Sequence, residues 1–161
     1  MRGLALAALA AACVACAADR GASPAAATAP PAATGPRVVM PNGTVISVEL
    51  ALTDAEKAQG LMFRESMPRN AGMVFPFEGL EIRPFWMKNC HFPLDLVYTT
   101  RDGTVVDVVK ALPPCPPDPA PCPNAVPKAK SDTVLEVNAG VADATGAVVG
   151  SKLKWFEIPG R

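Results

Sequence analysis

Residues 85 to 95 run Phe85-Trp86-Met87-Lys88-Asn89-Cys90-His91-Phe92-Pro93-Leu94-Asp95. This segment combines an indole, two other aromatic rings, an amide, a carboxylate, a thiol and a thioether, and it holds the single His of the chain. A ligand site typically has an apolar lining with a few polar groups in fixed positions, and this mixture matches that composition. We therefore treat the segment as the centre of the domain and interpret the surrounding residues as its scaffold.

Length and charge limit the classes of function. The chain has 161 residues, enough for one domain. Fifteen Lys and Arg balance fifteen Asp and Glu, so the basic excess that nucleic-acid binding needs is missing, and no nucleic-acid partner is predicted. Eighteen Pro and twelve Gly leave short apolar runs that favour strands over helices.

The first eighteen residues have the pattern of an export signal. Arg2 precedes an apolar run from Leu4 to Ala12 that is too short to span a bilayer, and small residues follow it. Two processing routes stay open. Ala15-Cys16-Ala17 suits cleavage of a soluble exported protein, whereas Val14-Ala15-Cys16 resembles the lipobox of bacterial lipoproteins and makes Cys16 the candidate lipidation site.

Residues 19–36 consist almost entirely of Ala, Pro, Thr, Ser and Gly and are predicted to be a disordered linker. Such a linker after a lipidated Cys would hold a folded domain away from the membrane. We therefore expect an exported protein, either periplasmic or anchored through an N-terminal lipid and in no other way. The folded unit is predicted to be a single β-rich domain over residues 37–161.

The apolar pattern after the linker predicts a mostly-β fold, a small sandwich or jelly-roll-like barrel with one early α-helix. Asn42-Gly43 predicts a hairpin turn. Thr53 and Glu56 form the capping-box pattern of a helix that we expect to reach about Arg64. Further strands are predicted at 72–76, 85–87, 94–99, 105–111, 133–139 and 152–158, with a single helical turn at 140–145.

The turn at Asp102-Gly103 predicts a register between two of these strands. A two-residue turn there places Val97 opposite Val108 and Asp95 opposite Lys110.

The cysteines divide into two groups. Cys13 and Cys16 belong to the signal, which leaves Cys90, Cys115 and Cys122 in the domain. Exported proteins form disulfides, and Cys115 and Cys122 lie close together in a proline-rich stretch, so we predict a disulfide between them. Cys90 is then unpaired, and its ordinary interpretation is a small buried apolar residue.

Five motifs in order resemble a known family. They are Gly60-Leu61-Met62 with Arg64, Gly72-Met73-Val74-Phe75, Phe85-Trp86-Met87-Lys88-Asn89, Pro93-Leu94-Asp95, and Leu135-Glu136-Val137 with Gly140. Over residues 38–158 the chain is similar to the bacterial and archaeal family called domain of unknown function 192. The resemblance implies a compact β-sandwich or barrel with one early helix, often behind an export signal, and it implies no activity. At Cys90 and His91 the chain departs from the family pattern, which more often has Thr after the Asn.

The central segment favours binding over catalysis. We expect a shallow cleft near Trp86 that binds a small ligand or an envelope protein, because an aromatic ring beside an amide suits sugars and peptides. Core packing of the ring and a turn at the Asn are the ordinary alternatives. No cofactor and no catalytic residue are assigned. The candidate binding residues are Arg64, Trp86, Lys88, Asn89, Asp95 and Glu136.

Two other functions stay open. Asp95 and Glu136 could act as acid and base of a hydrolase-like enzyme on envelope carbohydrate or peptide. The alternatives are a cross-strand pair of Asp95 with Lys110, and for Glu136 an outward strand position or a partnership with Arg64. The other function is binding of copper, because the side chains of Met87, Cys90 and His91 suit a soft metal, although Met is more often core filler.

Overall fold

A computed structural model describes residues 34–117 and 120–161. The elements are β1 (Arg37–Val39), β2 (Val45–Leu50), α1 (Asp54–Gln59), β3 (Ala71–Glu81), β4 (Leu94–Thr99), β5 (Val105–Leu112), β6 (Ser131–Asn138), α2 (Val141–Thr145) and β7 (Lys154–Phe156). In these two ranges no helix has the length and apolar character needed to cross a membrane. The predicted export signal, Cys16 and linker residues 19–33 lie outside the described residues.

The strands form one sheet in the order β5-β4-β6-β3-β2-β1-β7. Its β2 and β3 strands run parallel, and the other neighbours run antiparallel. The sheet is not closed, but its two ends approach each other where Thr104 bridges Lys152 and the N–H of Val105 donates to the Ser151 carbonyl at 2.9 Å. The prediction of a mostly-β, barrel-like domain with an early helix is confirmed.

The sheet separates two apolar cores, because successive side chains of a strand point to opposite faces. Leu135 of β6 and Val97 of β4 belong to the first core, which α2 covers. Val134 and Leu96, from the same two strands, belong to the second core. The segment after α1, residues 85–92 and the start of the proline-rich stretch cover this second core. The central segment therefore lies over one defined face of the sheet.

Several element boundaries differ from the predictions, and the last strand is shorter than predicted, Lys154–Phe156 in place of 152–158. The capping box at Thr53 and Glu56 is present, but α1 ends before Gly60, whose φ of 49° departs from a right-handed helix. Strand β3 continues past Pro76 to Glu81, with a register shift against β6 after the proline. Residues 85–87 form a single bridge, Phe85 to Ala125, in place of a strand. The helical turn after residue 140 is confirmed as α2.

The predicted register between β4 and β5 is correct in its centre and wrong at Asp95. Val97 pairs with Val108 as predicted. A register shift between Leu94 and Leu96 inserts an extra residue into β5, and Ala111 takes a φ of 48° there. The bulge removes the predicted pair of Asp95 with Lys110, and Lys110 instead bonds to Asp143.

Candidate functional site

The central segment is fastened to the proline-rich stretch by backbone hydrogen bonds. Phe85 and Ala125 exchange two, at 3.0 and 2.7 Å. The carbonyl of Met87 accepts from the N–H groups of Cys90 at 3.2 Å and Cys115 at 3.3 Å. Met87 itself is 2% exposed and belongs to the second core. The backbone that carries the exposed side chains is therefore fixed by hydrogen bonds at Phe85 and Met87 and by the packing of Met87 in the second core.

Asn89 makes the sharp turn of this segment. Its φ of 54° lies in the left-handed region, where Asn is tolerated better than most residues. Its carbonyl accepts from the N–H of Phe63 at 2.8 Å, which joins the turn to the segment after α1. Asn89 therefore forms a turn, and its exposed side chain also lines a cleft between the central segment and the proline-rich stretch.

An open cleft of about 590 Å³ separates the central segment from the proline-rich stretch, and its size is typical of ligand sites. The predicted Cys115–Cys122 disulfide is present and contributes to one wall. The indole of Trp86 is 46% exposed, and the Lys88 ammonium lies 5.2 Å from its ring centre. The walls are formed by Trp86, Lys88, Asn89, Cys90 and His91 on one side and by the disulfide, Pro116, Pro117, Ala120 and Pro121 on the other.

A second cavity of about 30 Å³ lies on the other side of Trp86, beside the end of α1. We call it the Glu136 recess. Glu136 is 4% exposed, and no donor of the described residues bonds to its carboxyl group. Burial raises the pKa of this carboxyl to about 8, so it is mostly protonated at neutral pH. The recess is lined by Lys57, Gly60, Phe75, Trp86, Cys90 and Glu136, among others.

Asp95 lies on the opposite face of the sheet from Glu136. Asp95 pairs with Val137 and Leu96 pairs with Glu136, and directly opposite residues share a face. The two carboxyl groups therefore do not converge as an acid–base pair. Asp95 is 1% exposed and does not reach the open cleft. Its two oxygens accept from the N–H of Ala111 at 2.8 Å and the N–H of Ala142 at 2.9 Å.

Arg64 also lies apart from both cavities. Its guanidinium binds the carboxylate of Glu49 with two hydrogen bonds, one of them at 2.8 Å. This pairing raises the pKa of Arg64 and lowers that of Glu49. The predicted anion anchor is thus already neutralised, and the alternative partnership of Arg64 with Glu136 is not formed.

Comparison with known proteins identifies the family. The model of the domain of unknown function 192 family, described as uncharacterized ACR, matches residues 37–155. The chain belongs to this family. A comparison with curated proteins found no match.

Two solved structures resemble this chain in fold. One is a protein of unknown function from Novosphingobium aromaticivorans DSM 12444, with a TM-score of 0.65 and 32% identity over 74% of this chain and 84% of that one. The other, from Sinorhizobium meliloti 1021, is described as a candidate transcription regulator and has a TM-score of 0.63. It is 29% identical over 76% of this chain and 93% of the other.

Cys90 and His91 do not form a copper site with Met87. The imidazole of His91 is exposed and contacts Glu65 at 2.9 Å, whereas Met87 is buried in the second core. Burial and the charge of Glu136 raise the pKa of the half-buried Cys90 thiol to about 11. Across the described ranges, no group of three or more His, Cys, Asp or Glu is placed to hold a metal.

Sequence reasoning missed that this domain has a polar pocket in its second core. Tyr98 shares the sheet face of Glu136, and its buried hydroxyl has no partner among the described residues. Burial, followed by the charge of Glu136, raises the pKa of this phenol. A Tyr two positions after Leu96 in β4 and a Glu between Leu135 and Val137 in β6 were the available signal. Only the register shows that the two share a face.

Proposed function

We propose that this protein is an exported binding module of the cell envelope that holds a small ligand or a partner segment in the open cleft. The exposed indole of Trp86 carries the proposal, because a rigid segment presents it at the edge of two cavities. An aromatic ring held in place before binding loses little conformational entropy on contact with a ligand. Asn89 adds an exposed amide close to the ring.

The second wall of the open cleft also suits binding. Pro116, Pro117 and Pro121 restrict the backbone, and the disulfide closes the loop that carries them. A wall of this kind changes little when a ligand arrives, so little conformational entropy of the wall is lost on binding.

Export is part of the proposal. Disulfides form in oxidising compartments, so the Cys115–Cys122 bond supports the export signal predicted from residues 1–18. We propose that lipidation of Cys16 anchors the protein. The intact mass of the chain from a Gram-negative host tests this. Lipidation leaves an acylated Cys16 as the first residue, and Cys16→Ser abolishes it. An unmodified chain that begins after Ala17 would agree with export and would reject the proposed lipid anchor.

Nuclear magnetic resonance with defined probes tests the binding site. We would titrate the mature protein with N-acetylglucosamine oligomers, short peptides and a fragment library, and map the amide shifts. Hits that cluster at Trp86, Asn89 and Cys115 support the proposal, and Trp86→Ala weakens their binding at least tenfold. Val149→Ala is the matched control, because Val149 is 65% exposed and lies outside both cavities. Hits that avoid this cluster, or that bind equally to both variants, would reject the open cleft.

A further inference from the structure

We propose that the Glu136 recess binds a carboxylate group of the ligand, with Glu136 as hydrogen-bond donor at its base and Lys57 and Lys88 as cations at its mouth. This inference rests on the proposed binding function and names the chemical class of the ligand. The recess and the open cleft share Trp86, Lys88 and Cys90, so one ligand can contact both.

The size of the recess suits a carboxylate. A single water needs roughly 10–15 Å³ of such volume. The recess offers about 30 Å³, which is room for two oxygen-sized atoms. Aromatic side chains, among them Phe75 and Phe85, form part of its wall, so a bound group is partly shielded from water.

The carboxyl group of Glu136 at the base of the recess is free to bond to a partner from outside the protein. A buried polar group without a hydrogen bond is costly, and Glu136 has none from the described residues. Its raised pKa, about 8, keeps a proton on the carboxyl at neutral pH, so it can donate. The ionisable groups that face it, Cys90 and Tyr98, are also neutral there, because their pKa values are raised. A carboxyl donor and a carboxylate acceptor form a strong, charge-assisted hydrogen bond.

Two positively charged side chains line the recess. Lys57 and Lys88 both line it, and their ammonium groups lie 5.0 Å from the ring centre of Phe77 and 5.2 Å from that of Trp86. No carboxylate of the described residues pairs with either Lys. Glu136 is the only acidic residue in the lining described. A cationic ligand would be repelled by both ammonium groups and would find no carboxylate charge at Glu136 while that group is protonated.

Titration of the mature protein with sodium acetate, methylammonium chloride and glycerol tests the inference. We expect acetate to shift the amide signals of Gly60 and Cys90 at millimolar concentration, and the other two probes to leave them unchanged. Acetate affinity falls about tenfold per pH unit above about pH 8, because the donor proton is then lost. Preferential binding of methylammonium, or no saturable shift with acetate, would overturn the inference.

Two variants separate the role of Glu136 from general effects. Glu136→Gln keeps an N–H donor and removes the titration, so acetate binding persists and loses its dependence on the Glu136 proton. Glu136→Leu removes the donor and reduces acetate affinity at least tenfold. If Glu136→Gln kept the pH profile of the wild type, the donor would lie elsewhere. The pH profile of the wild type decides the question even if a variant fails to fold.

The outcomes for the two proposals can be told apart. The carboxylate inference alone is rejected if acetate does not shift the amide signals of Gly60 and Cys90 while Trp86→Ala still weakens the binding of the other probes. The proposal for the open cleft alone is rejected if acetate binds with the expected pH profile while Trp86→Ala leaves the binding of the other probes unchanged.

Discussion

Replacement of Asp95 by Ala should destabilise the protein strongly without acting through a ligand. Asp95 is 1% exposed, and its carboxylate accepts backbone N–H groups from two different elements. Ala111 belongs to the bulge of β5, and Ala142 lies in the first turn of α2. Gly140, which precedes α2, has no side chain that could cap the helix. One carboxylate therefore satisfies donors that no other side chain of the described residues reaches.

The magnitude follows from the two hydrogen bonds. A hydrogen bond to a charged group contributes about 1.5–3 kcal/mol, so losing both costs about 3–6 kcal/mol. Total stabilities are typically about 5–15 kcal/mol, so the loss is a large fraction. In Asp95→Asn the amide oxygen can still accept one of the two backbone N–H groups, but the amide NH2 group then faces the other N–H, and both are donors. We therefore expect this variant to lose at least about half of the stability that Asp95→Ala loses.

Chemical and thermal denaturation measure this loss. We expect the free energy of unfolding of Asp95→Ala to fall by about 3–6 kcal/mol and Tm to fall by roughly 10–30 °C. Asp143→Ala is the control, because it removes an exposed pair with Lys110 and an exposed acidic side chain in the first turn of α2, and it should cost about 1 kcal/mol. Equal effects of the two variants would refute the structural role that we assign to Asp95.

Three further predictions concern stability. Reduction of the Cys115–Cys122 disulfide, or its replacement by two Ser, should cost about 1–2.5 kcal/mol in a urea titration, because the closed loop is short and prolines already stiffen it. Gly72→Ala should cost at least about 2 kcal/mol by calorimetry, because a Cβ there would lie 2.6 Å from the carbonyl oxygen of Glu136. Gly79→Ala, which meets no atom within 4 Å but has a φ of 71°, should cost less. The raised pKa of Glu136 means that the folded state keeps a proton that the unfolded state releases, so stability should fall by about 1.4 kcal/mol per unit between pH 4.5 and about 8. Glu136→Gln should remove this slope in denaturation curves, and an unchanged slope would assign it to another group.

Local sequence signals predicted the parts of the fold that depend on near neighbours. Asn42-Gly43, with Gly43 at a φ of 89°, forms the predicted turn between β1 and β2. Thr53 and Glu56 cap α1 as predicted, since a capping box needs only residues three apart. The end of α1 at Gly60 and the continuation of β3 were not predicted, because packing against the rest of the sheet decides whether a short element continues.

The candidate site was predicted only in part. Trp86, Lys88 and Asn89 do line a cleft, because they lie in one segment and their sequence proximity ensures spatial proximity. Asp95 and Glu136 are separated by 41 positions in the sequence, and only strand register decides whether their side chains share a face. A single bulge in β5 moved Lys110 away from Asp95 and gave that carboxylate a structural role.

By itself the sequence determined the family, the mostly-β class, the early capped helix and the disulfide. These features follow from composition, short-range patterns and the scarcity of cysteines in the domain. The tertiary structure alone decided that Glu136 is buried without a partner beside Trp86, Lys57 and Cys90, while Asp95 is bound within the opposite core. The physical reason is that burial and the pKa of a carboxyl depend on every atom around it, and those atoms come from strands and loops far apart in the chain.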